Sequence, residues 1–83
     1  MRLGELKMDK LLEILNDLHP EVDFETETGL IDSKIFDSFD VVTIASEIIE
    51  AYDVDIDAED MVPENFNSLE AIWDMIQRKQ EEA

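Results

Sequence analysis

The stretch IDSKIFDSFDVV, from Ile31 to Val42, contains two Asp-Ser pairs, Asp32-Ser33 and Asp37-Ser38. A serine after an aspartate serves as a turn residue, a helix cap or a site of covalent chemistry. The residues downstream of each pair separate them. Asp37-Ser38 runs into Phe39-Asp40 and then an apolar-periodic segment. Asp37 therefore reads as the N-cap of a helix, with Asp40 three residues on completing a capping box. Ser38 then sits in the first turn, where unpaired backbone N–H groups and the helix dipole favour an anion such as a phosphodiester. Phe39 falls off the inner stripe of that helix and is expected to be exposed beside the serine. The residues after Ser33 contain no helix start, so Asp32-Ser33 reads as a turn.

Other chemistry finds little support. The one histidine, His19, precedes Pro20 and reads as a helix C-terminal residue. Gly4 and Gly29 are the only glycines, so there is no glycine-rich phosphate loop. The segment DVDIDAEDMVPE places Asp53, Asp55, Asp57 and Glu64 where an EF-hand loop has ligands. Ala58 replaces the turn glycine, Asp60 replaces an apolar residue and Pro63 sits in the exiting helix, so no EF-hand is expected, and weak divalent binding to the acidic cluster is the milder reading. With no large cleft expected in so short a chain, it is read as having no catalytic activity of its own.

These residues must be held by a small core. The chain has 83 residues, enough for one domain, and 45% of them are hydrophobic. It has no cysteine, which removes disulfides and thiolate chemistry and suits a cytoplasmic protein. Charges scattered through the N-terminal segment argue against a signal peptide, and no apolar run reaches the length of a membrane span. The 23 acids against 6 bases give a formal charge of −17. Such a surface repels nucleic acid and anionic membranes and suits docking on basic partner patches.

Periodicity predicts four helices. The first runs over about Leu3 to Leu18, with Met8, Leu11, Leu12, Leu15 and Leu18 on one face. A long ordered loop comes next, anchored by Phe24, Leu30, Ile31, Ile35 and Phe36. The second helix starts at Ser38 and turns Val42, Ala45, Ile48, Ile49 and Tyr52 inward, with Val41 and Ile44 widening the face. A short third helix over Asp57 to Val62 is stopped by Pro63. The fourth starts near Ser68 with Asn67 as its cap and Leu69, Ile72, a buried Trp73 and Ile76 inside. Arg78 and Lys79 complement its dipole, and the QEEA tail frays. The expected fold is all-α, a small antiparallel four-helix bundle of three long helices and one short one, in a single domain over residues 1–83 with its core at about 3–78.

On these residues the chain resembles the acyl carrier proteins, the family that carries phosphopantetheine, from about Leu6 to Ile76. FDSFDVVTI resembles the Asp-Ser-Leu motif at the head of the family's second helix. EIIEAYDVDI resembles the end of that helix and the link after it, and FNSLEAI resembles the start of the last helix. The resemblance implies that a phosphopantetheinyl transferase attaches 4'-phosphopantetheine from coenzyme A to Ser38, with Asp37 contacting the transferase's metal–coenzyme complex. The arm would hold acyl or aminoacyl groups as thioesters and supply the thiol that the chain lacks. Partners would be activating ligases, synthases and transferases with basic patches, docking through Phe39, Asp40, Val41, Glu47 and Glu50 on a monomer. Phe39 stands where leucine is commonest in the family, and Ile35-Phe36 where a glycine is usual. The phenylalanine also resembles D-alanyl and other aminoacyl carriers. Fatty-acid, polyketide, nonribosomal-peptide and aminoacyl cargoes thus all remain open. An unmodified acidic interaction module, docking through Phe39 and the acids of the second helix, is the alternative of another class.

Overall fold

The computed structural model describes residues 3–82, with side-chain surroundings from Met8 to Glu81. Met1, Arg2 and Ala83, part of the domain expected over 1–83, lie outside the described residues. Among the described residues, four α-helices and one turn of 3-10 helix succeed one another: α1 (Leu3–Leu18), α2 (Ser38–Tyr52), the 3-10 turn (Ala58–Asp60), α3 (Pro63–Phe66) and α4 (Leu69–Glu82). No strand forms among the described residues. Helix α1 packs on α2 and α4, and α3 packs on α4. The Cα radius of gyration is 11.8 Å, about what a close-packed chain of this length gives.

The core takes Leu11, Ile14 and Leu15 from α1, and Leu69, Ile72, Met75 and Ile76 from α4. Helix α2 contributes Val41, Ile44, Ala45, Ile48 and Tyr52. That set has i, i+3, i+4 and i+7 spacing, one stripe of a helix. Val42 and Ile49, expected inside, lie off this stripe and are 51% and 36% exposed. On α1 the same drift makes Ile14 a core residue and leaves Met8, Leu12 and Leu18 at its margin. On α4 Met75 is buried, while Trp73 is only half-buried, edge-on to Tyr52 with ring centroids 6.0 Å apart.

Two helix boundaries differ from expectation for local reasons. Pro63 opens α3 instead of stopping a helix, because a first-turn proline needs no backbone partner for the N–H it lacks. The helix expected over Asp57 to Val62 is therefore reduced to the 3-10 turn at Ala58–Asp60, with Asp57 as its N-cap. Asn67 does not cap α4. Ser68 does, its Oγ accepting the Ala71 N–H at 3.1 Å. Helix α4 runs on to Glu82.

Asn67 is instead the clamp of the long loop. Its side-chain oxygen accepts the Ile31 and Asp32 N–H groups at 2.9 and 3.1 Å. Its amide donates to the Asp32 carboxylate at 3.1 Å. Its backbone carbonyl accepts the Leu30 N–H at 2.7 Å. Phe24, Leu30 and Phe36 are buried beneath the loop, while Ile31 and Ile35 are half-buried beside the core. The loop is thus fastened at both levels, by apolar anchors and by backbone hydrogen bonds to one side chain. This fixes the direction in which the chain reaches Asp37.

Candidate functional site at the head of α2

The first turn of α2 is locked by the expected box. Asp37 is extended (φ −101°, ψ −176°), and its carboxylate accepts the Asp40 N–H at 2.9 Å. The Asp40 carboxylate in turn accepts the Asp37 N–H at 3.4 Å. Ser38, the first helical residue, is exposed, and Phe39 beside it is 79% exposed. The far end of the helix closes at Asp53, which adopts the left-handed conformation (φ 56°, ψ 50°) and donates its N–H to the Ile49 carbonyl at 3.0 Å. Aspartate tolerates that conformation better than most residues.

Asp37 and Ser38 border a groove of about 420 Å³ whose other walls are Ile31, Phe36, Val41, Val42, Met61 and Pro63. Apolar side chains from the loop, from α2 and from the approach to α3 therefore meet beside the serine. Among the docking residues expected on α2, Phe39, Glu47 and Glu50 are exposed, and Asp40 is half-buried. Val41 does not belong with them. It is 6% exposed because it lies on the buried stripe, and the exposed aliphatic position is its neighbour Val42. The outward side of α2 carries Phe39, Val42 and Ile49 with Glu47 and Glu50 among them. A second groove, of about 230 Å³, runs between α1 and α2 past Asp17, Leu18, Thr43 and Glu47.

Ser33 lies in a different setting. Its N–H bonds the Gly29 carbonyl at 2.7 Å, and the turn continues through Lys34 at φ 62°. It is exposed, but no helix starts there.

The role of His19 was not legible in its sequence position. The residue does come directly after the last residue of α1, its N–H reaching the Leu15 carbonyl at 2.9 Å. Its ring, however, reaches across to the head of α2. Nε2 lies 3.1 Å from the Asp40 carboxylate and Nδ1 lies 3.3 Å from that of Glu21. The ring also rests on Phe36, with centroids 5.4 Å apart. Burial pulls the imidazole pKa down, but the hydrogen bonds to Asp40 and Glu21 outweigh it and leave His19 above its ordinary value.

The acidic segment after α2 is extended. Val54 and Ile56 point into the core while Asp53, Asp55 and Asp57 alternate outward, the two-residue period of extended chain. Asp60 turns to Lys79, 2.8 Å away, and this pairing holds its carboxyl below the usual range. Among the described residues no three His, Asp or Glu side chains converge as a metal-holding group. No helix among them is long and apolar enough to cross a membrane.

The site is therefore an exposed serine on a capped helix start, with an apolar groove on one side, an exposed aromatic next to it and acids along the same helix. No family model, no curated protein and no solved structure matches the chain.

Proposed function

We propose that the chain is a discrete carrier protein of four-helix, acyl-carrier type, bearing 4'-phosphopantetheine on Ser38. The observation that carries this reading is the placement of Ser38: exposed, first in a capped helix of 15 residues, and bordering an apolar groove. In the transfer step the Ser38 oxygen forms a bond to the phosphorus of the pantetheine phosphate. The pyrophosphate link of coenzyme A breaks, its adenosine half leaves, and the serine proton passes to a base of the transferase. The new phosphodiester lies at the positive end of α2, near backbone N–H groups without helical partners. Asp37, whose carboxylate holds the Asp40 N–H, stands next to Ser38 for contact with the transferase's metal–coenzyme complex.

The groove walls offer apolar surface to the arm or to the first carbons of an acyl cargo, and the arm's thiol carries the thioester. Partner enzymes with basic patches meet Phe39 and the acids of α2, and the charge of −17 speeds their approach. The cargo is acyl or aminoacyl. Incubation with coenzyme A and a broad-specificity phosphopantetheinyl transferase, then intact mass, tests the proposal. Addition of one arm to the native chain and none to Ser38→Ala is expected. Absence of addition with several transferases would leave an acidic interaction module docking through Phe39 as the better account.

A further inference from the structure

His19, at the end of α1 and two residues before Glu21, reaches across 21 residues to the capping box of α2. Both ring nitrogens approach carboxylate oxygens, Asp40 at 3.1 Å and Glu21 at 3.3 Å. An ionised carboxylate only accepts hydrogen bonds, so a neutral imidazole, with one N–H, satisfies one contact and turns a lone pair toward the other carboxylate. The doubly protonated ring satisfies both. The same Asp40 oxygen that His19 meets also accepts the Asp37 N–H, on the residue just before Ser38. A cation at this point also offsets the negative charge collected where a phosphate would be added. The charged groups that act on the ring are both acidic, Asp40 and Glu21, and Asp37 shares the box with Asp40.

We propose that His19, as the imidazolium, is a positioning residue for the chemistry at Ser38, pinning Asp40 and with it the first turn of α2 to the end of α1. This rests on the carrier reading above and adds a pH dependence to the same site. The pinning contact is complete while His19 is protonated. It weakens as pH rises through the ring's own pKa, which lies above the ordinary value of 6.5.

The test monitors phosphopantetheine transfer to the native chain and to His19→Gln between about pH 5.5 and about pH 9. The ratio of the two rates is taken at each pH, so that the transferase's own titration divides out. The ratio is expected to be about threefold at the acidic end, the size of one partly exposed charged contact, and to fall to about one at the basic end. The loss should appear in kcat rather than KM. A ratio that stays constant across pH would overturn the proposal while leaving the carrier reading intact. Failure of the native chain to be modified at all would overturn the carrier reading itself. A second measurement does not depend on transfer: the imidazole of His19 titrated by NMR in Asp40→Asn should move down toward its ordinary value. No movement would also overturn the proposal.

Discussion

The segments Asp37-Ser38-Phe39-Asp40 and Asp57-Ala58-Glu59-Asp60 share one pattern and meet different fates. In each the second aspartate accepts the backbone N–H of the first, at 3.4 Å for Asp40 and 3.0 Å for Asp60. The first opens a helix of 15 residues and the second a 3-10 turn of three. Behind Asp40 come Val41, Ile44, Ala45 and Ile48, all buried. Behind Asp60 come Met61 and Val62, both half-buried, and then Pro63, which starts another helix. A cap permits a helix, and the apolar stripe behind it decides the length. The partners of the second aspartates differ as well. Asp60 meets a lysine, Lys79, while Asp40 meets a histidine, His19, the side chain type that changes charge near neutral pH. Only the first segment holds a serine.

The largest expected difference between the two segments shows when the second is given its missing serine. Ala58→Ser makes it read Asp-Ser-x-Asp, yet position 58 should gain no phosphopantetheine, because no long helix and no exposed aromatic accompany it. Ser33→Ala should load as well as the native chain. Loading at position 58 of the Ala58→Ser chain would show that the four-residue pattern suffices without its setting.

Next in size is the stripe behind each cap. Ile44 is fully buried, and Ile44→Ala should cost about 3 kcal/mol, enough to lower Tm by roughly 12–24 degrees. Met61 is only half-buried, and Met61→Ala should cost about 1 kcal/mol, both losses being read by urea titration. Equal costs would mean that the stripe does not separate the two segments. Removing the loop clamp comes third: Asn67→Ala strands two backbone N–H groups and should cost about 1–2 kcal/mol. Its stability loss should come with faster amide exchange at Ile31 and Asp32.

The smallest effects separate the two aspartate partners by pH. His19 has a raised pKa when folded, so its contribution to stability is complete below 6.5 and is lost as pH rises through the folded value. Asp60 has a lowered pKa, so its contribution is present above 3.8 and is lost as pH falls through the folded value. Denaturation curves of His19→Gln should therefore differ from native at mildly acidic pH and merge with it at basic pH. Those of Lys79→Gln should differ at neutral pH and merge in strong acid. Added salt should raise Tm of the native chain, since 23 acids against 6 bases repel one another.

Much of this arrangement was legible in the residues. The capping box at Asp37 and Asp40, the exposure of Phe39, the bounds of α1 and α2 and the apolar anchors of the loop come from local rules that act within a few residues. The misplacements share a cause. Asn67 reads as a helix cap because asparagine caps helices, but its side chain is claimed by N–H groups more than thirty residues earlier. Val41 and Val42 are adjacent and chemically alike, and only the packing of α1 against α2 settles which one faces in. Pro63 begins an element rather than ending one, and proline in a sequence is compatible with either. The His19–Asp40 contact spans 21 residues, and nothing at either position announces the other.

The carrier proposal puts a phosphopantetheine arm on Ser38. The most direct measurement is intact mass and fragmentation of the native chain after incubation with coenzyme A and several phosphopantetheinyl transferases. The account predicts one arm per chain, located on Ser38. No addition under any of the transferases, or an arm located on Ser33, would contradict it.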